Sequence, residues 1–290
     1  MDIYQDLKQA EKGAWTSISV YIGLSLLKLM IGYGYNSDAL LADGLNNTTD
    51  IIASIAILIG LRISRKPPDE DHPYGHFRAE TVASLLAAFI MAVVGIQVLI
   101  QAGQQVFLEK SEAPEPITAW TSLFSACIMY GVYMYNRSLA KRVSSSSLMA
   151  AAQDNRSDAL VSVGAFAGII GARLGWHWLD PLAAVLVGLV ICKTAWDIFR
   201  ESSHALTDGF NDESKLEAYR TTIAKTPGVE SIEDIKARVH GNQVLIDVTI
   251  HVASTLNVAE GHQISENVEN QMRKKYRIAH VHVHIEPAEA

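Results

Sequence analysis

Residues Thr81–Leu108 read TVASLLAAFIMAVVGIQVLIQAGQQVFL, 28 consecutive positions without a charged side chain. A helix of about 20 apolar residues already crosses the hydrocarbon core of a bilayer, so this stretch is long enough to span it. Pro116–Asn136 supplies a second uncharged run of 21 residues. The two runs exclude a purely soluble chain and predict an α-helical membrane protein. Working outward from them gives six apolar spans: Ala14–Tyr33, Ala39–Ile63, Thr81–Leu108, Ile117–Asn136, Leu148–Ala172 and Trp178–Ile198. Lys28 interrupts the first, Asp43 and Asp50 the second, and Asp154, Arg156 and Asp158 the fifth.

Averages over all 290 residues conceal this pattern: 49% hydrophobic and 19% charged is close to ordinary globular composition. The charge is segregated. Residues 206–290 hold 22 of the 55 charged side chains in 85 positions, leaving 33 for the first 205. Two domains are therefore expected, a six-helix transmembrane domain over 1–205 and a charge-rich domain over 206–290. In the second, Lys215–Ala224 has helical amphipathicity and Pro227-Gly228 breaks it. Ile232–Val239 and Gln243–Val252 read as strands joined by a Gly241-Asn242 turn, Val258–Tyr276 as a helix, and His280–Ile285 as a strictly alternating strand. The order αββαβ makes this a small α+β domain.

Lys and Arg in the connections set the orientation, because cytoplasmic loops carry the excess of positive charge. Lys8 and Lys12 precede the first span. Arg62, Arg65, Lys66 and Arg78 lie between the second and third, and Arg137, Lys141 and Arg142 between the fourth and fifth. The opposite connections offer only Lys110 and Arg173. Both termini and the polar domain are thus expected in the cytoplasm. The net charge of −7 leaves no basic stripe for nucleic acid. Cys127 and Cys192 both fall in apolar spans and read as buried thiols, not a disulfide framework. The N-terminal dozen residues carry both charge signs and no evident cleavage site, so a signal peptide is not expected.

A charged side chain at the bilayer centre costs about 2.5–3.5 kcal/mol on insertion scales, so one found there needs a reason. Asn46 and Asp50 are four residues apart, as are Asp154 and Asp158. On a helix that spacing puts each pair on one face. Two such helices facing each other present one amide carbonyl and three carboxylates, a cage for a divalent cation. Asp43 and Asn47 form a second pair on nearly the same face, and spacing alone admits either asparagine as the ligand. In a plainer reading Asp43 caps a helix and Arg156 pairs with Asp154 at a cytoplasmic boundary. In the loop between spans two and three, Asp69, His72 and His76 have metal-ligand spacing, although His72-Pro73-Tyr74-Gly75-His76 equally suits a shaped loop.

The segments DGLNNTTDIIAS (Asp43–Ser54), HPYGHFRAE (His72–Glu80) and DNRSD (Asp154–Asp158), in that order, resemble the cation diffusion facilitator family. The resemblance extends over essentially the whole chain. It implies a homodimeric, proton-coupled exporter of divalent metal in the plasma membrane, not an enzyme, with a metallochaperone-like cytoplasmic tail. The ion would bind between helices two and five, and the loop residues Asp69, His72 and His76 would hold a second one. It also implies a charge pair between Arg78 and Asp208 that locks the dimer, and tail ligands at His262, His284 and Glu286. Two further positions of that tail site, histidines in the family, are Glu233 and Thr249 here. Zinc members usually supply histidine in span two, span five or both, where this chain has Asn46 and Asp154. Oxygen ligands favour harder ions than imidazole does, and the four-residue cage is sparse for Ca2+, so Mn2+ is the expected cargo, with Zn2+ or Fe2+ as alternatives. Metal and protons would compete for the carboxylates, which gives antiport if the site opens to each face in turn. Two readings from other classes are a membrane-embedded metalloenzyme using Asp50, Asp154 and Asp158, and a metal sensor whose tail is the working part. The metalloenzyme lacks a nearby general base, His177 being the only histidine near the spans.

Overall fold

The structure is a computed structural model and describes residues 3–35, 38–107, 115–176, 179–276 and 278–288; within these, the side chains of Asp43 and Asn46 lie outside the described residues. The chain divides into two compact units, Met1–Ser202 and Ser203–Ala290. The first is built from six long helices: α1 (Ile3–Gly34), α2 (Asp38–Ser64), α3 (Arg78–Phe107), α4 (Pro116–Val143), α5 (Ser146–Arg173) and α6 (Leu179–Leu206), the last running on past the division. Each apolar span read from the sequence falls on one of them, apart from residues at span ends that lie outside the described ones.

Local chemistry sets several boundaries. Pro116 opens α4, where a missing backbone N–H costs nothing. Ser144, in the left-handed region at φ 55°, ends that helix, and its N–H closes onto the Ala140 carbonyl. Between α2 and α3 the turn at Gly75 (φ +80°) folds the loop back on itself, with the Gly75 N–H 2.9 Å from the His72 carbonyl.

Packing in this unit inverts the soluble pattern. The exposed side chains include Leu26, Met30, Ile52, Ile59, Leu86, Phe89, Val93, Ile96 and Phe124, whereas the buried ones include Ser17, Ser25, Lys28, Asn47, Asp50, Glu80, Ser125, Asn136, Asn155 and Asp158. Apolar surface outside and polar groups inside is the arrangement expected of helices that face a lipid solvent. Among the described residues, Gln5–Gly34, Arg78–Gln104 and Pro116–Val143 are long and apolar enough to cross a membrane on composition alone. The two cysteines are free, but Cys127 is exposed and Cys192 half-buried, contrary to the buried thiols expected; Cys127 sits on an outward, apolar face of α4.

α1 packs against α2, α4 and α5, α5 also lies against α2 and α4, and α3 lies against α2 and α5. Small residues allow the close crossings. A Cβ on Gly60 would stand 2.3 Å from the Ala83 Cβ and 3.1 Å from the Ala79 carbonyl oxygen. At the same end of α2, Glu11 of α1 accepts from Arg65 at 2.8 Å and faces Arg62 at 3.8 Å, so an ion-pair cluster ties α1 to the end of α2.

The second unit contains α7 (Glu213–Ala224), β1 (Ser231–His240), β2 (Gln243–Val252), α8 (Val258–Lys275) and β3 (Ile278–Pro287), the αββαβ order expected. β1 and β2 form an antiparallel hairpin through Gly241 (φ +63°), and β3 returns parallel to β2 after α8. Both helices start on side-chain caps. Asp212 accepts from the Lys215 N–H at 3.0 Å, and its hydrogen bonds to Lys215 and Ser214 hold its carboxyl well below the usual range. Asn257 and Glu260 form a reciprocal capping box on α8. Tyr219, Ile223, Ile246, Val248, Ile250, Val268, Met272 and Val281 form the core.

Because α2 can approach α3 only where residue 60 lacks a side chain, Gly60→Leu should force the helices apart. Thermal unfolding of the full-length detergent-solubilised protein should show a loss of about 1–3 kcal/mol, and an unchanged melting temperature would contradict the close crossing.

Candidate metal centre

Two facing helices bring three carboxylates to one point. Asp50 on α2 and Asp154 and Asp158 on α5 each offer an oxygen, and these atoms lie within 4.8 Å of one another. Asp50 and Asp158 are buried, at 2% and 8% exposure. The four-residue spacing on α5 does what helical geometry requires, placing both acids on the side that faces α2. Three negative charges so close, inside a helix bundle, repel one another and call for a cation, protons or strong donors.

One donor comes from α1. The buried Tyr21 hydroxyl bonds to Asp158 Oδ2, lies 3.1 Å from Asp154 Oδ2, and accepts from Asn155 Nδ2 at 3.0 Å. Asn155 is fixed in turn: its Oδ1 accepts from Asn136 Nδ2 at 2.9 Å and from Ser17 Oγ at 3.1 Å, while Asn136 Nδ2 also reaches Ser17 Oγ at 2.8 Å. Ser17, Asn136 and Asn155 have no exposed surface. A dry network therefore joins α1, α4 and α5 and sets the height of Tyr21 against the carboxylates. One layer further along α1, Ser25 Oγ donates to the Gly44 carbonyl at 2.8 Å, and Lys28 Nζ, on a side chain only 1% exposed, faces Asn47 Oδ1 at 3.5 Å. Asn47 thus turns its oxygen to Lys28, and its remaining atom, Nδ2, is a buried donor without a hydrogen-bond partner. A donor repels a cation.

A further carboxylate anchors α5. Glu80, fully buried near the start of α3, accepts from the Ser147 N–H and from Ser147 Oγ, both at 3.4 Å, and Ser84 Oγ meets Ser146 Oγ at 3.2 Å. An acidic side chain at a helix N-terminus satisfies orphan N–H groups and complements the helix dipole.

The loop residues also meet. Asp69 Oδ1 accepts from the His72 N–H at 2.8 Å and lies 3.0 Å from His72 Nδ1, and Asp69 Oδ2 lies 3.4 Å from His76 Nε2. One ligating atom from each of the three lies within 4.8 Å of the others. The hydrogen bonds from His72 hold the Asp69 carboxyl below its ordinary range. The tail residues do not gather in this way. His262 faces Glu266 on its own helix at 3.5 Å, while His284 and Glu286 pair on β3 at 2.8 Å, and among the described residues the three form no cluster like the two above. Glu233 lies 3.7 Å from His251, and Thr249 stands in register with His284. Arg78 opens α3 in the first unit, and Asp208, with φ 62°, belongs to the second. His177 lies outside the described residues.

Sequence spacing did not single out Tyr21, Asn155 or Glu80. A signal existed for the first: Ser17, Tyr21, Ser25 and Lys28 recur at helical intervals, a polar stripe through an apolar span.

Comparison with known proteins agrees with this picture. Residues 14–207 match the cation efflux transmembrane domain and residues 211–288 the cation efflux protein cytoplasmic domain. The chain is 56% identical to the manganese efflux system protein MneS of Bacillus subtilis (strain 168), covering 100% of this chain and 99% of that protein. It is 32% identical to the manganese efflux system protein MneP of the same organism, over 90% of each. It is 29% identical to the magnetosome protein MamM of Magnetospirillum gryphiswaldense, over 95% of this chain and 87% of the relative. A solved structure of the MamM CTD aligns with 27% of this chain and 100% of its own length at 26% identity, with a TM-score of 0.27. The chain belongs to the cation efflux family, the cation diffusion facilitators that its motifs resemble. It is a metal-efflux transporter with a helical transmembrane domain and a cytoplasmic C-terminal domain, and not an enzyme.

Tyr21→Phe removes the donor that Asp154 and Asp158 share and leaves Asn155 Nδ2 without an acceptor. The metal-free protein should lose about 1–3 kcal/mol of stability. A divalent cation, which replaces the missing donor, should then raise the melting temperature of Tyr21→Phe more than that of the wild type. Equal shifts in thermal melts with and without metal would count against the bridge.

Proposed function

We propose that the chain exports Mn2+ across the plasma membrane in exchange for protons, the ion lying between α2 and α5 on Asn46, Asp50, Asp154 and Asp158. The observation that carries this reading is the convergence of three carboxylates from two helices, Asp50 and Asp158 buried and Asp154 half-buried, with no histidine or cysteine among them. An all-oxygen site suits Mn2+ better than Zn2+, which favours imidazole and thiolate. The names of two relatives, both manganese efflux proteins, support the same cargo. The amide ligand is assigned to Asn46, since Asn47 spends its oxygen on Lys28. Asp43 and Asn47 are then accessory residues that shape the site without ligating the ion.

Proton exchange follows from the same groups. The Tyr21 hydroxyl has one hydrogen and two carboxylate neighbours, Asp154 and Asp158. It donates to one of them; the other contact becomes a hydrogen bond when that carboxyl carries a proton and Tyr21 accepts it. A divalent ion needs all three carboxylates deprotonated, so loading the metal expels protons and proton entry expels the metal. All six helices cross the membrane in this reading, with both termini and the tail in the cytoplasm. The protein works as a homodimer, in keeping with the match of its tail to the cation efflux cytoplasmic domain. Arg78 and Asp208 form the charge lock of the dimer. Asp69, His72 and His76 hold a second cation on the cytoplasmic side, and His262, His284 and Glu286 contribute to a tail site.

Inverted vesicles test the whole reading. With an acidic lumen, they should take up Mn2+ in preference to Zn2+, and a protonophore should stop uptake. Asp50→Asn and Asp158→Asn should each reduce the rate by more than about tenfold, and Asn46→His should shift preference towards Zn2+. Wild-type vesicles that move Zn2+ and ignore Mn2+, or uptake that persists without a proton gradient, would overturn it.

A further inference from the structure

We propose that Lys28 is the built-in counter-ion of the transport site, a fixed positive charge that weakens metal binding enough for the ion to leave. The inference rests on the assignment of Asp50, Asp154 and Asp158 as the transport carboxylates. Lys28 lies on the same stripe of α1 as Tyr21, two turns further along, and its side chain is 1% exposed. Its Nζ stands 3.5 Å from Asn47 Oδ1, and Asn47 precedes Asp50 by one turn on α2. The ammonium therefore sits about one helical turn, roughly 5 Å along the axis, from the carboxylate layer. An ammonium buried this deeply needs an oxygen acceptor and a negative field. Asn47 supplies an acceptor, and the three carboxylates one turn away on α2 and α5 contribute to the field.

The charge count gives the role. Among the described side chains, three carboxylates and one divalent cation leave a net charge of −1, which the charge of Lys28 offsets. A loaded site without net charge is the form that can be carried through a low-dielectric interior at least electrostatic cost. The same ammonium repels the bound cation, so affinity is held below what three carboxylates would otherwise give. For an exporter that is useful: an ion held too tightly is not released.

The test uses purified full-length protein. Mn2+ affinity is measured by calorimetry and transport kinetics in proteoliposomes, for wild type, Lys28→Gln and Lys28→Arg, with Asp50→Asn and Asp158→Asn as site controls. Lys28→Gln keeps a donor for Asn47 and removes only the charge. It should bind Mn2+ on the order of tenfold more tightly, with a lower KM and a lower kcat, whereas Lys28→Arg should behave like the wild type. Unchanged or weaker binding by Lys28→Gln overturns the proposal. So does a Lys28→Gln protein that fails to fold while Lys28→Arg folds, because the role is then structural. If the two aspartate variants keep wild-type affinity, the assignment of the site itself has failed; if they lose binding while Lys28→Gln is indifferent, only the counter-ion role has.

Discussion

Three carboxylates whose oxygens lie within 4.8 Å of one another, inside a helix bundle that faces lipid, are the constraint to which the membrane unit answers. Each would cost about 2.5–3.5 kcal/mol at the bilayer centre if left alone on its helix, and their mutual repulsion adds to that. The fold offsets this cost with groups from other helices: the Tyr21 hydroxyl on α1 and the asparagine network from α4 and α5 behind it. The polar side chains of this unit point inwards because the carboxylates and their donors must find each other there. The outer surface is left to Leu, Ile, Phe and Val.

The loop site is built on different physics. Asp69, His72 and His76 are held by a tight turn through Gly75 in a polar, largely exposed segment, where solvation is cheap and local hydrogen bonds suffice. Among the described residues of the tail nothing comparable is assembled: His262 and His284 lie on separate elements and face the carboxylates of Glu266 and Glu286. Local sequence can close a ligand set in a turn; across a sheet and a helix it cannot.

That contrast also explains what could be read in advance. The six helices and the αββαβ tail were legible because charge-free runs, Gly and Pro breaks and strand alternation are local signals. The two aspartates of α5 were legible for the same reason, since four residues on a helix is a fixed geometry. Asp50 was legible in the same way, four residues after Asn46, but the approach of α2 to α5 that brings it to the other two cannot be read from spacing within one helix. Tyr21 escaped because a tyrosine in an apolar span looks like packing until the helix more than a hundred residues away is known to present two acids to it. The choice between Asn46 and Asn47 also needed a partner on another helix, Lys28, which in sequence is only an interruption of the first span. Cys127 shows the opposite error: apolar context predicts burial in a soluble protein, but in a lipid-facing helix it predicts the outside.

The Glu80 clasp on the first turn of α5 has a mechanical consequence. A helix pinned at one end is a lever with its fulcrum there, and Asp154 and Asp158 ride on it at unequal radii. Eight and twelve residues from Ser146, they stand about 12 Å and about 18 Å from the pivot. Any tilt of α5 therefore displaces Asp158 half as far again as Asp154, so a modest rotation shears the carboxylate pair against Asp50 and does not carry it along intact.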